Sequence, residues 1–129
     1  MAKVRGKDTA PEMIVRHLLH SMGFRYRLHR RSLPGAPDIV FPSRKKVIWV
    51  HGCYWHHHAG CRLASLPKTN RKFWVTKFNK NVARDKSNVK SIAALGWKSL
   101  TVWQCELKEQ KTLVRRLRKF LGPPPDGLP

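Results

Sequence analysis

Three cysteines occur in this chain of 129 residues, and two of them bracket one short stretch, HGCYWHHHAGC at 51–61. An odd cysteine count in a chain that does not open on a signal peptide argues against a disulfide framework and for metal ligation or free thiols. Cys53, Cys61 and a histidine between them offer three soft or borderline ligands on one loop. Cys105, in a distant part of the chain, can supply the fourth corner of a tetrahedral Cys3His zinc site. Such a site requires the strand before Cys105 to end beside the loop, a strong restriction on the fold. Among the histidines, His58 has the best reach to both loop cysteines; His56 and His57 stay open.

Around this loop the pattern is that of one α/β domain. Thr9-Ala-Pro-Glu12 resembles a capping box with an early proline. Ile14, Val15, Leu18, Leu19 and Met22 follow at helical spacing, and Gly23 stops the helix. Phe24, Tyr26 and Leu28 alternate with Arg25, Arg27 and His29, as in a half-buried strand. After the turn SLPGAP come strands at Asp38–Pro42 and Val47–Val50. A helix is expected over 70–95, a strand over 97–103 and a basic helix over 107–121, in the order α-β-β-β-α-β-α. Residues 1–122 are expected to form a single domain, with 123–129 a proline-rich tail. No run of apolar residues is long enough to span a membrane, so a cytoplasmic location is expected.

Charge narrows the partner. Lys and Arg number 27 against seven acids, a formal +20. Solubility asks for a net charge of only about 2–8 in a small domain. Basic residues spread along the whole chain favour a nucleic-acid polyanion over a membrane surface. Arg71, Lys72, Lys77 and Lys80 are the candidate phosphate contacts.

Against that background each acid is informative. In the 70–95 helix, Val75, Phe78, Val82, Val89 and Ile92 form a stripe whose missing member is Asp85. A carboxylate on a core-facing stripe is costly unless it is paired. It is either a structural partner of a buried base or an active-site acid. Asp38 stands at the mouth of a strand, behind a proline, and is either a turn residue or a metal ligand. Glu12 either closes the capping box or turns inward with Val15 and Leu19. Inward carboxylates in so basic a chain suit a hard cation such as Mg2+ facing a phosphodiester. A histidine not spent on zinc is a candidate general base. Tyr54 and Trp55 are loop aromatics that can pack locally or wedge between bases.

Four stretches together resemble a known family: IVRHLLHSMGFRYRLH after RGKDTAPE, LPGAPDIVFPSRKKVIWVHGCYWHHHAGC, TNRKFWVTKFNKNVARD, and LGWKSLTVWQCEL. Covering roughly residues 4–108, they are similar to the very short patch repair (Vsr) DNA mismatch endonucleases. The resemblance implies a restriction-endonuclease-like fold, a mixed central sheet flanked by helices, with a structural zinc site. It implies Mg2+-dependent nicking 5′ to the mismatched T of a T:G pair left by 5-methylcytosine deamination. By position, Asp38 and the backbone carbonyl of Val50 would hold Mg2+, with Val standing where a Thr is familiar. His56 would activate water, while His51, Asp85 and Glu12 would hold metal-bound waters. Zinc would fall to Cys53, His58, Cys61 and Cys105. Tyr54, Trp55 and Trp74 would wedge into the duplex, with Tyr54 where a Phe is common. Only MAKVRGKD precedes the first helix, where the family carries a longer DNA-contacting arm.

The implied partners are double-stranded DNA with a T:G mismatch and mismatch-repair proteins, for a monomer acting in a bacterial cytoplasm at the nucleoid. Two other readings stay in view. One is a nuclease of the same fold with other mismatch, lesion or relaxed sequence preferences. The other is a basic, zinc-stabilised nucleic-acid-binding module without an active site.

Overall fold

The computed structural model describes residues 9–53, 58, 61 and 68–123. Among these residues the α-helices and strands are, in order, α1 (Ala10–Ser21), β1 (Arg27–Leu28), β2 (Ile39–Phe41), β3 (Lys46–His51), α2 (Arg71–Ala94), β4 (Lys98–Trp103) and α3 (Gln110–Leu121). The strands form one sheet in the order β1-β2-β3-β4. β1–β2 and β2–β3 are antiparallel, and β3–β4 is parallel, so the sheet is mixed.

The alternation of side chains along β3 sorts the core into two layers. Ile48 and Val50 pack on one side with Val15 and Leu19 of α1 and Leu113, Leu117 and Leu121 of α3. Val47 and Trp49 pack on the other with Leu33, Ile92 of α2 and Trp97. The loop before β2 is fastened to α2 at Gly35, whose backbone is left-handed (φ 73°). A Cβ there would fall 2.5 Å from the Asn88 side chain, so only glycine suits both the conformation and the contact.

Four expectations change in detail. The first strand is only Arg27–Leu28, because His29 turns into the left-handed region at φ 45° and ends it. The helix expected from 107 is divided. Gln104–Lys108 is a 3-10 turn, and α3 begins at Gln110. The turn is held by Glu106, which accepts from the Trp103 backbone N–H (2.9 Å) and pairs with Arg116 of α3. On α2 the apolar stripe is buried at Phe78 and Ile92, but Val89 is 37% exposed. A 24-residue helix outruns the small sheet it covers. Lys98 opens β4, while Trp97 stays before it in the core.

Candidate metal and catalytic centre

β3 and β4 run parallel in register as far as the pair His51–Trp103, so the two strands end side by side. Cys53 lies just beyond the end of one and Cys105 just beyond the other. The backbone then closes the corner. The Cys105 N–H donates to Cys53 Sγ (3.3 Å), and the Cys53 N–H donates to Gln104 Oε1 (3.4 Å). The His58 N–H donates to the Cys53 carbonyl (2.9 Å) and the Cys61 N–H to the His58 carbonyl (3.2 Å). His58 Nδ1 comes to lie 3.6 Å from Cys53 Sγ and 3.5 Å from Cys105 Sγ. The ligand atoms of Cys53, His58, Cys61 and Cys105 all fall within 4.8 Å of one another.

Tetrahedral ligands at zinc distances stand about 3.3–3.8 Å apart, so this donor set fits such an ion with little movement. Without a cation Cys53 and Cys105 hold their protons. Burial pushes Cys53 up to about 12, with the adjoining thiols adding to it, and burial likewise raises Cys105. Three crowded thiols gain most from a divalent partner, which removes the cost of gathering their negative charge.

The carboxylates converge elsewhere. Asp38, just before β2, accepts the Val50 N–H of β3 on Oδ2 at 2.8 Å. Glu12 is 1% exposed on the inner face of α1. Thr9 caps that helix by accepting the Glu12 N–H (3.4 Å), but the Glu12 side chain does not return to complete a capping box. Its oxygens meet His29 Nε2 at 3.0 and 2.9 Å, and Oε2 also meets Arg16 Nη1 at 3.3 Å. Ligand atoms of Glu12, His29 and Asp38 lie within 4.8 Å of one another.

Asp85 and His51 form a separate pair, with His51 Nδ1 3.9 Å from Asp85 Oδ2. The two groups adjoin through β3, since Val50 contacts Asp38 and the next residue is His51. His51 in turn meets the edge of Trp103 (5.2 Å, 77°), whose face is stacked on His58 (4.0 Å, 6°). A continuous line of rings therefore runs from the sulfur corner to the His51–Asp85 pair.

His29 belongs to this arrangement, although its alternation with Phe24, Tyr26 and Leu28 assigns it to the wet face of a strand. The only hint in the sequence is its difference from the arginines around it at 25, 27, 30 and 31. Tyr54, Trp55, His56 and His57 lie outside the described residues, as do 1–8 and 124–129. On α2, Arg71, Lys72, Lys77 and Lys80 are exposed. Trp74 is half-buried, with the Lys77 ammonium 5.5 Å from its ring centre. Beside it Phe73 is 61% exposed, a large aromatic left in water on a basic helix end. No helix among the described residues is long and apolar enough to cross a membrane.

The family model described as DNA mismatch endonuclease Vsr matches residues 1–62. The type II nicking enzyme V.XorIIP of Xanthomonas oryzae pv. oryzae is 54% identical over 123 residues, covering 95% of this chain and 90% of that protein. The chain belongs to the Vsr family. It is therefore an enzyme of the endonuclease class. Within the Vsr family, the DNA mismatch endonuclease Vsr of Escherichia coli K12 is 41% identical over 113 residues, covering 88% of this chain and 72% of its own length. The type II nicking enzyme V.NmeAIP of Neisseria meningitidis is 40% identical over 121 residues, 94% of this chain and 86% of the relative.

Proposed function

We propose that this Vsr-family protein nicks duplex DNA on the 5′ side of the mismatched T of a T:G pair, with Mg2+ at its carboxylates and zinc at its thiols. The observation that carries the reading is the convergence of Glu12 and Asp38 around the end of β3, beside a Cys3His corner, in a chain of +20. A pure DNA binder gains nothing by aiming two carboxylates at phosphate.

Both donor sets suit the ions proposed for them. Oxygen donors from Asp38, with the Val50 carbonyl, would hold the hard cation, and the thiolates of Cys53, Cys61 and Cys105 with His58 would hold zinc. A bound Mg2+ would supply positive charge to the phosphoryl oxygens and the leaving 3′ oxygen. The chain's own groups do the rest. Glu12, His51 and Asp85 orient water around Asp38. His56, between Cys53 and Cys61 in the sequence, takes the proton from the attacking water. Tyr54, Trp55 and Trp74 insert beside the mismatch, where stacking is weakest and insertion costs least. Arg71, Lys72, Lys77 and Lys80 hold phosphates.

The same proposal covers the framework: a restriction-endonuclease-like fold in one domain over 1–122, followed by a proline-rich tail at 123–129. The enzyme would act as a monomer in the cytoplasm, alongside mismatch-repair proteins. The mixed sheet with helices on both faces supports that fold.

The test incubates a T:G duplex and its T:A control with Mg2+ or EDTA and resolves the strands on a denaturing gel. One nick, only in T:G and only with Mg2+, is the expected result. Nicks in both duplexes would replace the proposal with a relaxed nuclease. Tight binding without cleavage would replace it with a DNA-binding module.

A further inference from the structure

We infer that His29 is a positioning residue of the carboxylate centre, holding Glu12 and Asp38 in register with each other so that the pair can take a divalent cation. The inference rests on the proposed function for the identity of the site, and on the following contacts for the role of His29.

Glu12 is a carboxylate with almost no contact with water, and a buried charge of that kind is retained only where it is bonded. Its bonds come from Arg16 on its own helix and from His29, 17 residues along the chain. His29 Nε2 lies nearly equidistant from the two Glu12 oxygens, at 3.0 and 2.9 Å, which sets the plane of the carboxylate. The backbone of the same residue donates its N–H to the carbonyl of Asp38 (3.1 Å). One residue therefore grips the Glu12 side chain through its ring and Asp38 through its main chain.

The backbone of His29 is itself unusual. It is left-handed at φ 45°, a region that non-glycine residues enter at a cost and that is enriched where surrounding structure holds a functional geometry. That turn ends β1 and swings the ring inward toward α1 rather than out with Arg25 and Arg27. Imidazole also suits the place chemically. Its ring reaches both Glu12 oxygens through one nitrogen, Nε2, on a side chain shorter than that of lysine or arginine.

Partners of this kind, which orient ligating groups without being spent on the metal, typically influence metal affinity or activity by about 10–100-fold when removed. The experiment compares His29→Gly and His29→Gln with the unaltered protein. Glycine keeps the left-handed backbone free of strain and deletes the ring. Glutamine keeps an N–H donor that can reach Glu12.

Two readouts are taken. One is Mn2+ binding to the zinc-loaded protein, followed by electron paramagnetic resonance. The other is the Mg2+ concentration for half-maximal single-turnover nicking of a T:G duplex. His29→Gly is expected to weaken Mn2+ binding and raise the Mg2+ requirement by about 10-fold or more, with the zinc-loaded fold and DNA binding kept. His29→Gln is expected to remain within about threefold of the unaltered protein on both measures.

The inference is overturned if His29→Gly binds Mn2+ as tightly as the unaltered protein. It is equally overturned if folded His29→Gln fails as badly as His29→Gly, since the ring would then ligate the metal rather than position its ligands. Failure of the unaltered protein to nick T:G would instead count against the proposed function, and the Mn2+ measurement would still decide the role of His29.

Discussion

The sulfur corner and the carboxylate centre are assembled in different ways. The sulfur corner uses residues just beyond the ends of two neighbouring strands, and parallel register brings Cys53 and Cys105 together. The carboxylate centre draws Glu12 from a helix, His29 from the end of a two-residue strand and Asp38 from the start of the next. Parallel register alone thus fixes half of the corner, its Cys53 and Cys105, while His58 and Cys61 come from the stretch that follows. A centre gathered from three elements needs a residue that ties them, and His29 holds that place. The Trp103 ring, lying against both His58 and His51, links the corner to the pair beside the centre.

If the carboxylates carry the chemistry and the thiols carry the architecture, the two regions should fail differently. The largest effect is expected at Asp38. Asp38→Ala should lower T:G nicking by about 10³-fold or more, since the cation's charge stabilisation is worth several kcal/mol. Its zinc content, by elemental analysis, and its affinity for the mismatch duplex should hold. A variant still nicking at a tenth of the normal rate would remove Asp38 from the centre.

Cys105→Ser should behave in the opposite way, losing zinc together with stability. A loss of about 3 kcal/mol, a fall of about 10 °C in melting temperature, is expected by calorimetry. The pH dependence follows from the raised thiols. With Cys53 pushed up to about 12, the metal-free corner holds its protons at neutral pH. Zinc uptake must displace them, so zinc affinity should fall as pH falls, with proton release visible to an indicator dye. Zinc binding without proton release would mean that the thiols are not its ligands.

Asp85→Asn tests whether the pair with His51 belongs to the chemistry. A fall in nicking of about 10–100-fold with an unchanged melting temperature is expected of a group that orients water around the metal. Normal cleavage would leave Asp85 with a structural role only. The smallest effect is expected at the exposed basic face. Lys77→Ala should weaken binding to matched and mismatched duplexes alike and reduce the slope of log affinity against log salt by about one. A selective loss on the mismatch would instead tie Lys77 to the Trp74 ring it approaches.

Legibility in the sequence followed how local each interaction is. Helix α1 was readable because its cap, its early proline and its apolar spacing are all local. The cysteine corner was readable because few residue types bind soft metals and the chain has only three thiols. The division of the last helix was not readable, since it depends on Glu106 meeting Arg116 and the end of β4. His29 was hidden for a stronger reason. Strand alternation sends it outward, and only the left-handed turn and the nearness of Glu12 bring it in.

By itself, then, the amino-acid order determined the donor types, the order of helices and strands, and a strongly basic surface. These are properties of residue chemistry and short-range spacing. The tertiary structure alone decided which carboxylate meets which base. It put Glu12 with His29 and Asp38, and Asp85 with His51. Such pairings depend on how elements distant in the chain pack on one sheet, and no periodicity along the sequence encodes the distance between them.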